Sequence, residues 1–173
     1  ALERNATLTT LNLGGNDIGD EGAAVIVRSL KANAVLTTLR AQGVGIGPAC
    51  AAALSEALPA NHVLTALDLG RNSIGEEGAA TLDSAIRAQS SLTSINVLGN
   101  GIGAEKAKQL VAVFKNHRTL QTLCGFDGRS EVDLSNQNFS LADGILLAAD
   151  LGFNSVLTSL NLRSSGIGSR AEE

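Results

Sequence analysis

The chain has 173 residues, a formal net charge of −4 and 44% hydrophobic residues, a balance that fits one globular domain. It contains no Trp, Tyr or Met and only four Phe against 19 Gly, so any core is built from Leu, Ile, Val and Ala. The acidic balance without a basic run excludes the cationic stripe of a nucleic-acid binder and makes an anionic membrane an equally poor partner. No apolar run approaches the roughly 18 residues of a spanning helix and the N-terminus lacks a signal-peptide pattern, from which a cytoplasmic location is expected.

The elements repeat. Leu8, Leu36, Leu64, Leu92 and Leu120 stand 28 residues apart, and each opens a stretch such as "LTTLNLGGNDIGDEGAA" or "LTALDLGRNSIGEEGAA". In the first unit Leu11 and Leu13 alternate with polar neighbours as in a half-buried strand. Gly19 then marks a turn, and Ala23, Ile26 and Leu30 take the spacing of a helix whose first turn carries Asp20 and Glu21. The second unit repeats this with Leu39, Ala41 and Ile46, then Pro48 at a helix start and Ala51, Leu54 and Leu58 behind it. The third has Leu67, Leu69 and Ile74 followed by Ala79, Leu82 and Ile86; the fourth has Ile95, Val97 and Ile102 followed by Ala107, Leu110 and Phe114. Asn16, Asn72 and Asn100 fall just after a strand, where a side-chain amide satisfies turn backbone groups that have no ladder partner. Val44 interrupts that series, so the second unit is expected to be the looser one.

A fifth unit opens at Leu120 and stops at Gly128, a strand with no helix. Beyond it, Val132 and Leu134 align with Leu160 and Leu162, and Phe139 with Ile167, so the interval from 129 to 157 is again 28. "FDGR" resembles a two-residue hairpin turn that would set Leu123 opposite Val132. A hairpin would invert the second block, however, and since strand-helix-strand units coil right-handed in about 98% of cases it would then advance into the first. A parallel return needs a crossover of a dozen or more residues. The sequence therefore predicts a break at 125–130 between a first block, 1–124, and a second, 129–173.

The pattern L-x-x-L-x-L-x-x-N-x-I-G on a 28-residue period, with a helix in each unit, resembles the ribonuclease-inhibitor class of leucine-rich repeats, seen also in the sensor ends of NOD-like receptors. That resemblance implies an α/β fold: a right-handed solenoid forming part of a horseshoe, with a parallel sheet on the concave side and helices on the convex side. The physical sense is that one unit buries too little to offset its own ordering, so units must stack.

Resemblance also implies non-catalytic recognition of a protein partner on the concave strand face. The candidate contacts there are Asn12, Arg40, Asp68, Arg71, Asn96 and Leu98 in the first block, with Glu131, Asp133 and Arg163 in the second. Arg40 and Asp68 hold equivalent positions on strands about 4.8 Å apart and are expected to pair, while Leu98 stands where Gly14, Gln42 and Gly70 stand and reads as an exposed apolar contact. Catalysis finds little to use: Cys50 falls on a helix and Cys124 on a strand, and neither His62 nor His117 is placed to activate a thiol. "GVGIG" at 43–47 lacks the lysine of a phosphate loop, "NDIGDEG" lacks the oxygen-rich spacing of a calcium loop, and the two Cys have no zinc spacing, so no enzyme activity, cofactor or metal is expected. Asn5 and Asn138 lie in N-x-S/T sequons.

The ends lack the polar capping repeats of an isolated array, from which a fragment of something longer, or a chain that covers its ends by association, is expected. The alternative function is accordingly a self-assembly module, joined head-to-tail into an oligomer through uncapped ends or as a homodimer through a swapped second block.

Overall fold

The computed structural model describes residues 2–167. Each unit opens on a three-residue strand and closes on a helix: β1 (Thr10–Asn12), α1 (Gly19–Arg28), β2 (Thr38–Arg40), α2 (Pro48–Ala57), β3 (Ala66–Asp68), α3 (Gly75–Ala88), β4 (Ser94–Asn96) and α4 (Ala104–Asn116). The strands form one parallel sheet in the order β1-β2-β3-β4, with Leu11, Leu39, Leu67 and Ile95 in register. The 28-residue sequence period is therefore the sheet register itself. Leu39, Leu67 and Ile95 point into a core shared with Leu54, Leu82 and Leu110 of the helical layer, all 1% exposed or less. α1, α2, α3 and α4 pack one on the next behind the sheet. Among the described residues no helix is long and apolar enough to cross a membrane.

Side chains from one unit complete the backbone of its neighbour. Asn72 donates through Nδ2 to Ala41 O and Leu69 O at 2.8 and 2.9 Å, and its Oδ1 accepts the amides of Val44, Gly45 and Ile46 at 3.0 Å. The amide thus serves the preceding unit, and this corrects the expectation for Val44. Val44 is 1% exposed and its own turn is fully served by Asn72; what its apolar side chain leaves without an acceptor is the turn before it, where the N–H groups of Asn16, Asp17 and Ile18 have no hydrogen-bond partner among the described residues. The amides left without an acceptor belong to the first unit.

A second ladder runs at the opposite end of the strands. Asn33 Nδ2 donates to Leu2 O and Asn5 O, Asn61 Nδ2 to Leu30 O and Asn33 O, and Gln89 Nε2 to Asn61 O, while each side-chain oxygen accepts amides of its own turn. His117 continues it: Nε2 lies 2.9 Å from both Ile86 O and Gln89 O, and Nδ1 accepts the Leu120 amide at 3.1 Å. The neutral ring protonated on Nε2 is the form that fits. Acids cap helices across the seam in the same way. Asp20 on α1 accepts the amides of Gly47, Ala49 and Cys50 at the start of α2, at 2.8–2.9 Å, and a side chain at Gly47 would strike its carboxylate. Burial resists ionisation of Asp20, but these three donors outweigh it and hold its pKa below the ordinary 3.8.

Past α4 the array changes. Thr122 bridges Ser94 in the parallel sense but Cys124 meets Asn96 in the antiparallel sense, so the fifth strand is bent out of the sheet after two residues. Phe126–Arg129 is then a tight turn with positive φ at Asp127 (37°) and Gly128 (70°), closed by the Arg129 amide on Phe126 O at 2.8 Å. Its arms do not continue as a hairpin. β5 (Glu131–Asp133) pairs in parallel with β6 (Ser159–Asn161) in a separate two-stranded sheet, joined by α5 (Leu141–Leu151). α5 lies against α4, and Ala142, Leu146 and Leu147 join Leu123 and Phe126 in the core of the first sheet. Residues 168–173, where the sequence would begin a further helix, lie outside the described residues.

Candidate functional site

The polar partners of the buried strand leucines form the open face of the first sheet. Asn12, Arg40, Asp68 and Asn96 stand side by side in one register, one from each strand. Together with Arg71 they line a concavity of ≈ 980 Å³ whose floor is Thr38, Ala66 and Ser94. The junction closes one end: Gly125, Asp127 and Arg129 also line the concavity, because the tight turn at Asp127–Gly128 throws its flanks onto this face.

Within the groove Asp68 is held by Gly70 N at 3.0 Å and Asn96 Nδ2 at 2.9 Å. This corrects the expected Arg40–Asp68 pair. A short amide fixed on β4 fits the Asp68 oxygen, and the ion pairs among the described residues are Arg87–Asp83 and Lys108–Glu105, both on helices. Arg40 and Arg71 are both exposed, and among the described residues each is bonded through its backbone only, its guanidinium making no hydrogen bond or ion pair. Arg129 instead turns its guanidinium to Gly125 O and Phe126 O.

Leu98 is not an exposed contact: it is 3% exposed and belongs to the core. The cause lies outside its own unit. The next amide, Gly99 N, donates to Asp143 of α5 at 2.7 Å, so the start of α5 seats over the turn that carries Leu98. Asp143 also closes a capping box with Ser140 at that helix start.

The remaining sequence candidates lie elsewhere. Glu131 and Asp133 are on β5 and Arg163 follows β6, all exposed and outside the lining of the concavity. Asp133 repeats the arrangement of Asp68, accepting Ser135 N at 2.8 Å and Asn161 Nδ2 at 3.2 Å. The Ser135 donors lower its pKa, burial opposes them weakly, and the Asn161 bond adds to them.

Nucleophile chemistry has no foothold at the cysteines. Burial and then the nearby Asp20 carboxylate push the Cys50 thiol up to about 12, and burial and then the Asp150 charge push Cys124 well above its ordinary range. Among the described residues no group of three His, Cys, Asp or Glu side chains could hold a metal ion.

The leucine-rich-repeat family model matches residues 4–27, 60–82 and 153–170. No curated protein sequence is significantly similar to the chain. Among solved structures, actin-binding site 2 of leiomodin-1 superposes with a TM-score of 0.63 at 24% identity, over 67% of this chain and 69% of that one. The tropomodulin C-terminal domain from Caenorhabditis elegans superposes with a TM-score of 0.58 at 12% identity, over 83% of each. The alternation of parallel strands and helices is thus the fold of leucine-rich-repeat domains, in both the sequence match and the spatial one.

Proposed function

We propose that this chain is a non-catalytic recognition scaffold that binds a protein partner in the concavity of its first sheet. The observation that carries the reading is the set of exposed side chains Asn12, Arg40 and Arg71 lining one concavity over Thr38, Ala66 and Ser94, on a face that no described element covers. A rigid solenoid is suited to the role because its units are tied to one another by side-chain amides, so the face is organised before a partner arrives. The 28-residue period with a helix in every unit supports placing the repeats in the ribonuclease-inhibitor class. The fold shared with an actin-binding site of leiomodin-1 supports a protein partner and makes actin the first probe.

The test compares capture by the wild-type chain, by Ala66→Arg on the groove floor and by Glu77→Lys on α3, with cross-links mapped on whatever is retained. A partner cross-linked to the groove, lost with Ala66→Arg and kept with Glu77→Lys, is the expected result. Cross-links on the helical layer, unaffected by Ala66→Arg, would overturn the reading.

A second reading, self-association, is favoured by a separate observation. Leu141, Leu151, Phe153 and Val156 of the second block are 40–58% exposed, and Phe153 stands edge-on to Phe114 at 5.3 Å. Sedimentation over a range of concentrations tests it beside Phe153→Ser. A strictly monomeric wild-type chain, or an equal association of the variant, removes this reading.

A further inference from the structure

The position that follows each strand by three residues has positive φ in every unit: Gly15 (79°), Gly43 (62°), Arg71 (56°), Gly99 (69°), Asn136 (57°) and Ser164 (54°). The left-handed region penalises any residue with a Cβ, and the penalty is least for Gly, Asn and Asp. The first block meets this demand with glycine in three of its four units and with an arginine in the fourth. Nothing in the packing repays Arg71 for that strain. Its side chain is exposed, makes no hydrogen bond or ion pair among the described residues, and lies open to the concavity. Arg40, the other guanidinium without a partner on this face, is equally exposed.

We infer that Arg40 and Arg71 form a two-pronged site for an acidic, extended segment of the partner protein, two carboxylates about three residues apart. This deepens the proposed function and rests on it. The acids of the groove make no ion pair with these arginines among the described residues: Asp68 turns its Oδ1 to Asn96 and Gly70, and Asp127 sits in the turn at the far end. With Arg129 folded onto its own turn, the middle of the groove presents two guanidinium groups without an ion-pair partner among the described residues, on a chain whose net charge is −4. Guanidinium groups grip carboxylates bidentately, and in a groove partly shielded from solvent that geometry selects for them.

Spacing argues for a peptide over a single anion. Arg71 lies three residues beyond Asp68, the register neighbour of Arg40, so the two backbones stand about one strand apart across the sheet and roughly 10 Å apart along it, at about 3.3 Å per residue. One phosphate cannot span that distance. A peptide in the polyproline-II conformation, three residues per turn at about 3.1 Å per residue, laid over Thr38, Ala66 and Ser94 presents side chains i and i+3 on one face at about that separation.

The probe is an acetylated hexapeptide, Glu-Gly-Gly-Glu-Gly-Gly, titrated at low salt into the 15N-labelled chain, with Lys-Gly-Gly-Lys-Gly-Gly and inorganic phosphate as the other arms. Saturable shifts at the amides of Arg40, Gly43, Arg71 and Gly99 and at both guanidinium Nε–H groups are expected with the glutamate peptide alone. Arg40→Gln with Arg71→Gln lowers the affinity at least about tenfold. Arg71→Gly separates binding from folding: it weakens binding while leaving the thermal midpoint unchanged or raised, because glycine accepts the backbone without strain. Equal shifts from the lysine peptide, saturation of both arginines by phosphate, no saturable shift with the glutamate peptide, or unaltered binding by the double variant would overturn the inference. Failure here is distinct from failure of the recognition reading: a partner lost with Ala66→Arg but retained by the double glutamine variant leaves the groove as the binding face and removes its preference for acids.

Discussion

Asp150 near the end of α5 accepts the Thr122 hydroxyl at 2.6 Å and the Cys124 amide at 2.9 Å through one carboxylate oxygen, while its other oxygen is buried without a partner among the described residues. Each earlier strand offers its amides to a strand beyond it, as Leu13 does to Arg40 O and Ala41 to Asp68 O. Among the described residues no strand pairs beyond Cys124 in the first sheet, and the carboxylate from the second block takes that place. At 0% exposure, burial raises the pKa of Asp150 against the opposing pull of Thr122 and Cys124.

The sign of its contribution follows. The folded value lies above the ordinary 3.8, so the stability linked to Asp150 is fully present below 3.8 and is lost as pH rises through the folded value. Asp20 has the opposite sign, with stability present above 3.8 and lost as pH falls through its lowered value. Asp150→Asn is expected to flatten the fall in denaturation midpoint with rising pH and Asp20→Asn the loss at acid pH. Denaturant titrations from pH 3 to pH 8 check both.

Leu82→Ala should cost about 2–5 kcal/mol, since the side chain is 0% exposed in the middle of the core. Thr9→Ala should cost little, because the ladder uses the Thr9 carbonyl, which accepts Thr37 N at 2.9 Å, and not the Thr9 hydroxyl. Equal midpoints for the two would refute the inside-outside assignment.

Backbone exchange reads the direction of the amide ladder. The N–H groups of Val44, Gly45 and Ile46, each on Asn72 Oδ1, should exchange slowly, and those of Asn16, Asp17 and Ile18 fast. Asn72→Ala should release the first set, and hydrogen exchange followed by NMR measures it.

His117 is an amide substitute, so His117→Gln, which copies Gln89, should hold stability, whereas His117→Ala strands the Gln89 carbonyl and the Leu120 amide at a cost of about 1–3 kcal/mol. Thermal unfolding of the two variants distinguishes a ladder role from mere space filling.

The leucine period was enough to read the strands, their register and the helices, because identical phase in successive units leaves one way to bury Leu39, Leu67 and Ile95 together. What the period does not carry is anything supplied from a different phase. Leu98 reads as open because Gly70 and Gln42 occupy its position, yet it is closed by α5, which arrives from the second block out of phase. The same holds for Arg40: the Asp68 oxygen is taken by Asn96, whose short side chain gives up less rotamer freedom than an arginine would. Asp127 and Arg129 were hidden at the groove end, although the Asp-Gly pair that places them was visible as a turn. Val44 shows the limit most plainly, since a missing amide is visible in the sequence while the unit it serves is not.

The most direct measurement of the central claim is a hydrogen-exchange footprint of the chain bound to the partner it captures, with actin tried first. Binding in the concavity predicts slowed exchange in the strand ends and turns 12–15, 40–43, 68–71 and 96–99, with α1, α2 and α3 unchanged on their outer faces. Slowed exchange confined to those helices, with the four turns unaltered, would contradict it.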